Sequence, residues 1–151
     1  MLEIEKKYLV KNIPLDLRKY ECIDIVQGYI AVEEGFSEVR VRIGKKHSLT
    51  VKSYHTNYRF EKELLVSKKD SLELMKFCSS RTVSKKRYII PYDDYVIELD
   101  IYKGKLEGLI IAEVEFKSEE ELLRFKKPDW FEKDVTDDKR YKNKNLAIYG
   151  L

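Results

Sequence analysis

The residues that invite chemistry come in like-signed pairs two positions apart. Carboxylates stand at Glu3 and Glu5, Glu61 and Glu63, Glu98 and Asp100, and Glu113 and Glu115. Cations stand at Arg40 and Arg42 and at Lys85 and Arg87, joined by Lys7 and Lys52. Along an extended chain, side chains two apart share one face at about 6.5–7 Å. Like charges held that close repel unless a partner lies between them. A solvated face explains any single pair, since half-exposed antiparallel sheets alternate apolar and polar residues. It explains the whole set less well, because an ordinary wet face mixes Thr, Ser and Gln among its charges. An anion would relieve the Arg and Lys set, and divalent cations the Glu and Asp set. Hard cations such as Mg²⁺ take carboxylate oxygens and keep waters and phosphates as further ligands. The flat fork of Arg pairs with phosphate oxygens, and Lys adds a compact charge. A long, multiply charged, metal-chelating anion satisfies both clusters, and polyphosphate is that chemical class.

The elements that must position these residues show period-2 alternation. Strands are predicted at 2–10, 24–33, 38–43, 47–53, 57–66, 82–90, 95–102 and 109–117. Gly44-Lys45-Lys46 and Pro91-Tyr92-Asp93-Asp94 serve as turns. Residues 67–79 change to helical spacing behind Ser67 as N-cap, and Ser118 with Glu121 forms a capping box that opens a helix over 119–125. Such a chain is mainly β (α+β): about eight antiparallel strands in one domain, 1–151, curled into a closed barrel with a few covering helices. Sorting by parity sets Ile4, Val39, Val41, Ile43, Leu49, Val51, Phe60, Ile97, Leu99, Ile101, Ile110, Ala112, Val114 and Phe116 on the face opposite the charges. With the ionic face inward, about eight strands leave a hydrophilic tunnel wide enough for one small ligand.

Composition excludes several function classes. The 30 basic and 27 acidic residues nearly cancel to +3, so no basic footprint for nucleic acid exists at the level of the chain. No apolar run has the length of a signal peptide or a membrane span. Cys22 and Cys78 are far apart and fit a reducing, cytoplasmic setting better than a disulfide scaffold. His47 and His55 have no Ser or Cys beside them to activate and read as ordinary turn residues. Tyr8, Tyr88, Tyr95 and Tyr102 read as packing, and Trp130-Phe131 as an anchor for the C-terminal segment.

Glu3-Ile4-Glu5-Lys6-Lys7 resembles the Glu-x-Glu-x-Lys signature of the CYTH superfamily, the triphosphate tunnel metalloenzymes. The resemblance continues in order through Gln27-Gly28-Tyr29, Arg40-Val41-Arg42, Lys52, Arg59-Phe60-Glu61-Lys62-Glu63, Lys85-Lys86-Arg87-Tyr88, Glu98-Leu99-Asp100 and Glu113-Val114-Glu115. Asp134-Val135-Thr136-Asp137, Arg140-Tyr141 and Asn145-Leu146-Ala147 are similar to the tail of the short bacterial members. The resemblance implies an eight-stranded tunnel whose Lys7, Arg40, Arg42, Lys52, Lys85 and Arg87 bind phosphates. It implies that Glu3, Glu5, Glu61, Glu63, Glu98, Asp100, Glu113 and Glu115 hold Mg²⁺ or Mn²⁺ or position water. Tyr29 and Lys85 would form a catalytic pair, with Glu61 and Glu63 acting on the water.

The activity so implied is metal-dependent hydrolysis of a triphosphate, foremost inorganic tripolyphosphate to pyrophosphate and phosphate. A class IV adenylyl cyclase would need a base pocket at the tunnel mouth, which nothing in the sequence advertises. A thiamine triphosphatase would use Tyr and Trp near the mouth to stack on a ring. A non-catalytic polyphosphate or nucleotide sensor would gain nothing from so many acids. A soluble monomer or homodimer acting on a small molecule, with no membrane or nucleic-acid partner, is expected.

Overall fold

A computed structural model of the 151-residue chain describes residues 4–54 and 59–151. Glu3, His55 and the start of the strand expected at Asn57 lie outside the described residues. Eight strands are described: β1 (Ile4–Leu9), β2 (Glu21–Glu33), β3 (Ser37–Ile43), β4 (His47–Tyr54), β5 (Arg59–Leu65), β6 (Thr82–Tyr92), β7 (Tyr95–Tyr102) and β8 (Ile110–Phe116). Three α-helices accompany them, α1 (Lys68–Met75), α2 (Glu119–Arg124) and α3 (Asn143–Tyr149). The chain divides into two compact units, Met1–Ile23 with Lys85–Lys142 and Asp24–Ser84 with Asn143–Leu151.

In the first unit, β1 pairs with β8, β8 with β7 and β7 with β6, all antiparallel. Alternation sends Tyr8, Ile97, Leu99, Ala112, Val114 and Phe116 to one side, where they form a buried core with Phe131. The rings of Tyr95, Phe116 and Phe125 meet edge to face at 4.9–5.7 Å, which suits their quadrupoles. Phe131 sits 4.9 Å from the Tyr8 ring, so it anchors the C-terminal segment as expected. Helix α2 starts on the predicted box: Ser118 Oγ accepts from the Glu121 N–H at 3.1 Å, and Glu121 accepts from the Lys117 N–H at 2.6 Å.

In the second unit, β2 pairs with β3, β3 with β4 and β4 with β5, again antiparallel. Ser67 caps α1, its Oγ accepting from the Asp70 N–H at 3.0 Å. The helix and the 3₁₀ turn after it lie against the apolar face at Gly28. A Cβ there would meet Cys78 Sγ at 2.5 Å and Met75 Sδ at 2.8 Å, so only glycine admits that approach. The same face is not covered everywhere. Val51 is 42% exposed and Phe60 62%.

The mainly β, antiparallel architecture stands, but the closed barrel does not appear in the described pairings. The outer edge of β1 is already taken. The Leu9 N–H donates to the Lys133 carbonyl at 2.9 Å, the Glu132 N–H to the Leu9 carbonyl at 2.9 Å, and the Val135 N–H to the Lys7 carbonyl at 2.8 Å. The Lys7 N–H donates to Thr136 Oγ1 at 3.0 Å. Backbone groups satisfied by this tail segment have nothing left for another strand, a common way of protecting an edge. Among the described residues β5 pairs with β4 alone. Helix α3 was not anticipated; it buries Leu146 and Ala147 and ends where the Gly150 N–H reaches the Leu146 carbonyl at 3.0 Å.

Candidate active site

In the first unit the predicted charges fall on one side of the sheet, opposite the core. Strand register sets Lys7 beside Glu113 and Glu113 beside Glu98. Arg87 lies beside Asp100, and Glu5 beside Glu115. Lys7–Glu113 and Arg87–Asp100 are neighbours of opposite charge, whereas Glu113–Glu98 and Glu5–Glu115 set carboxylate beside carboxylate. Asp100 is 1% exposed. Its Oδ2 accepts from Lys85 Nζ at 2.7 Å and Arg87 Nη2 at 2.9 Å, and its Oδ1 from Arg87 Nε at 2.7 Å. Arg87 also reaches Glu98 at 2.6 Å and Glu113 at 4.0 Å. Lys85, its side chain wholly buried, stands 5.3 Å above the Tyr102 ring. Lys7 Nζ lies 4.0 Å from Glu5.

Burial and charge compete in this cluster. Burial pushes the Asp100 carboxyl up, but the charges and hydrogen bonds of Lys85 and Arg87 outweigh it and hold it below the usual range. Glu113 is also lowered: a hydrogen bond with Glu5 and the charges of Lys7, Arg87 and Lys85 overcome its burial. Glu98 goes the other way, raised by burial and by Glu113 and Asp100 despite Arg87. Burial opposes the charge on Arg87, yet Asp100, Glu98 and Glu113 together make it still harder to deprotonate.

In the second unit the register forms three rows: Gln27, Arg42 and Ser48; Tyr29, Arg40, Thr50 and Glu63; and Glu38, Lys52 and Glu61. Gln27 is fully buried, accepting from Arg42 Nε at 2.8 Å and donating to Tyr29 Oη at 2.8 Å. Burial pushes the Tyr29 phenol up to about 12, so it stays protonated near neutrality. Lys52 lies 4.0 Å from Glu61. Glu61 and Glu63 are exposed. Among the described residues, Arg40 Nε, His47 Nδ1 and Thr50 Oγ1 are buried without a hydrogen-bond partner, and the first and last of these lie on the ionic face.

Every predicted site residue among the described ones lies on the ionic face of its unit, and Glu3 is outside them. Sequence reading missed Glu38, which is 6% exposed and accepts from Tyr54 Oη at 2.5 Å. Its parity with Arg40 and Arg42 was the available signal. It also missed the apolar members of the charged face, Leu9, Ile111 and Tyr102, which stand in register with Asp100 or Lys85.

No three His, Cys, Asp or Glu side chains among the described residues converge on a metal-holding point. What stands there is the hydrogen-bonded pair Glu5 and Glu113. Two carboxylates in contact suit a hard divalent ion, which binds through one or two carboxylates and fills its remaining positions with water and phosphate oxygens. Were Mg²⁺ or Mn²⁺ bound here, Glu5 and Glu113 would be its carboxylate donors.

Fold and site together define an antiparallel β protein whose two units each carry a face of interleaved acids and cations. The chain matches no family model. It is 37% identical over 151 residues to an inorganic triphosphatase of Nitrosomonas europaea, covering 98% of each chain. It is 38% identical over 150 residues to an inorganic triphosphatase of Acetivibrio thermocellus, covering 96% of this chain and 92% of that one. It also superposes on the crystal structure of the inorganic triphosphatase NE1496 with a TM-score of 0.78 at 35% identity, covering 97% of this chain and 95% of that one. The chain belongs to the inorganic triphosphatase family, in agreement with the CYTH resemblance read from its sequence. Among the described residues no helix is long and apolar enough to cross a membrane.

Proposed function

We propose that this chain is a divalent-metal-dependent hydrolase that cleaves inorganic tripolyphosphate to pyrophosphate and phosphate, as a cytoplasmic monomer or homodimer. The observation that carries the reading is the full-length relationship to two inorganic triphosphatases, joined to cations in register with acids at Lys7–Glu113, Glu38–Lys52–Glu61 and Arg87–Asp100. In this reading Lys7, Lys85 and Arg87 are the phosphate-binding cations of one unit, and Arg40, Arg42 and Lys52 are those of the other. Arg40 contributes the Nε that has no protein partner. Held in place before the reaction, these cations stabilise charge on the departing pyrophosphate without reorganising.

Glu5 and Glu113, with Glu3, Glu115 and Glu98, would hold Mg²⁺ or Mn²⁺. When bound, such an ion supplies charge neutralisation at phosphoryl oxygens and a lowered pKa for a water in its shell. Glu61 and Glu63 orient the attacking water and accept its proton as its oxygen bonds to the terminal phosphorus. The bond from that phosphorus to the bridging oxygen breaks, and pyrophosphate leaves. Tyr29 remains protonated, and Tyr29 and Lys85 are the residues assigned, each within its own unit, to steadying a phosphoryl group.

Alanine at Arg40 or Glu115 tests the assignment. Either change is expected to lower turnover by about two orders of magnitude or more with the fold retained, as for loss of one charge-stabilising group. Near-normal turnover in both would remove the basis for these roles.

A further inference from the structure

Asp100 stands apart from the other acids of its unit. Both of its oxygens are filled by cationic donors from β6: Lys85 Nζ at 2.7 Å and Arg87 Nη2 at 2.9 Å on Oδ2, and Arg87 Nε at 2.7 Å on Oδ1. It is 1% exposed, and its register neighbour on β8 is the apolar Ile111, so no second carboxylate sits beside it in its row. Three of its roughly four lone-pair sites accept from an ammonium and a guanidinium, which leaves little for a divalent ion, and the two cations repel one. Glu98, by contrast, has Glu113 as its register neighbour, and Glu113 touches Glu5.

We infer that Asp100 is a positioning residue for phosphate binding: it clamps Lys85 and Arg87 in one orientation and takes no part in holding metal. This deepens the triphosphatase reading and rests on it. The clamp uses one of the ammonium's three N–H donors and the Nε and Nη2 of the guanidinium. It thereby fixes the direction of the guanidinium, whose side chain keeps some exposure, and holds the wholly buried ammonium against the same carboxylate. Unclamped, long cationic side chains would give up rotamer freedom on binding an anion, at a cost in affinity.

Sign separates this role from metal binding. Removing an acid that only holds metal takes negative charge away from the anion, so tripolyphosphate binding in EDTA is unchanged or stronger. Removing the clamp disorders two cations, so the same binding weakens. The experiment compares the full-length wild type, Asp100→Asn and Glu113→Gln. Tripolyphosphate is titrated calorimetrically in EDTA, and Mn²⁺ is titrated by electron paramagnetic resonance without substrate. Asp100→Asn is expected to weaken metal-free tripolyphosphate binding by about tenfold, the equivalent of one charge-assisted hydrogen bond. It is expected to leave the Mn²⁺ dissociation constant within about twofold of wild type, while Glu113→Gln does the reverse.

Asp100→Asn leaves a buried ammonium without its counter-charge and can fail to fold. The double variant Asp100→Asn with Lys85→Gln removes both charges, and its Mn²⁺ constant is again expected within about twofold of wild type. Tighter metal-free tripolyphosphate binding in Asp100→Asn, or an Mn²⁺ constant raised about tenfold in either variant, overturns the inference. Should wild type fail to hydrolyse tripolyphosphate, the triphosphatase reading falls, while the Mn²⁺ titrations still decide whether Asp100 holds metal.

Discussion

Arg42 Nε donates to the side-chain oxygen of Gln27 at 2.8 Å, and the accepting amide is wholly inaccessible to solvent. The other end of that amide donates to the Tyr29 phenol at 2.8 Å. A neutral buried residue thus holds the Arg42 guanidinium and a protonated phenol at a fixed separation. Gln27→Leu keeps the volume and removes both bonds. A hydrogen bond to a charged group contributes about 1.5–3 kcal/mol, so KM for tripolyphosphate should rise roughly tenfold or more, with a smaller change in kcat. Steady-state kinetics check this. An unchanged KM would mean that Arg42 does not depend on Gln27 for its orientation.

Gly28 is set by packing. The Cβ of alanine would stand 2.5 Å from Cys78 Sγ and 2.8 Å from Met75 Sδ. Forcing the helix off the sheet there should cost about 1–3 kcal/mol, the range for overpacked cores. Urea denaturation of Gly28→Ala is expected to show a lower midpoint with an unchanged slope.

Acid should destabilise the fold through Asp100. Its folded pKa is lowered, since Lys85 and Arg87 outweigh the effect of burial. A lowered carboxylate contributes stability that is present above its unfolded value, about 3.9, and is lost as pH falls through the folded one. Asp134 shifts the same way. Glu98 has the opposite sign: burial raises it, so its contribution is lost as pH rises through its folded value. Melting temperature is therefore expected to fall below about pH 4 in the wild type, and less steeply in Asp100→Asn. Glu98→Gln is expected to be as stable as wild type, or more so, above about pH 5. Thermal melts across the range read all three slopes.

Thr136 closes the edge of β1 by accepting from the Lys7 N–H at 3.0 Å. Its hydroxyl in turn lies 2.5 Å from Asp134 Oδ1. Thr136→Val removes both bonds and should cost about 2–4 kcal/mol, measured as a drop in melting temperature.

Much of the fold was legible because alternation is a local property. The strands appear where the period-2 segments lay, and the Ser67 and Ser118 caps bond as their spacing foretold. Boundaries moved where pairing partners decide them. β2 begins at Glu21, not Asp24, and β6 runs on through Pro91 to Tyr92, with Asp93 at a φ of 51° making the turn. Barrel closure was not legible, because the groups that fill the edge of β1 come from residues 132–136, more than a hundred positions away. Helix α3 was missed because Asn143–Tyr149 is too short to show a period. In the site, charge type and parity located the ionic face. Neither could tell that Asp100 is occupied by Lys85 and Arg87, since that depends on the β6–β7 register. Gln27, Glu38 and Tyr54 carry no charge-pair signature of their own, although all three bond on that face.

The central claim is hydrolysis of inorganic tripolyphosphate, and phosphorus NMR of the reaction tests it most directly. Tripolyphosphate, ATP and thiamine triphosphate are incubated separately with the chain and Mg²⁺ or Mn²⁺, each beside an EDTA control. The account predicts tripolyphosphate resonances giving way to equal amounts of pyrophosphate and phosphate, abolished by EDTA, with ATP and thiamine triphosphate turned over slowly. Intact tripolyphosphate beside ATP converted to cyclic AMP and pyrophosphate would contradict it.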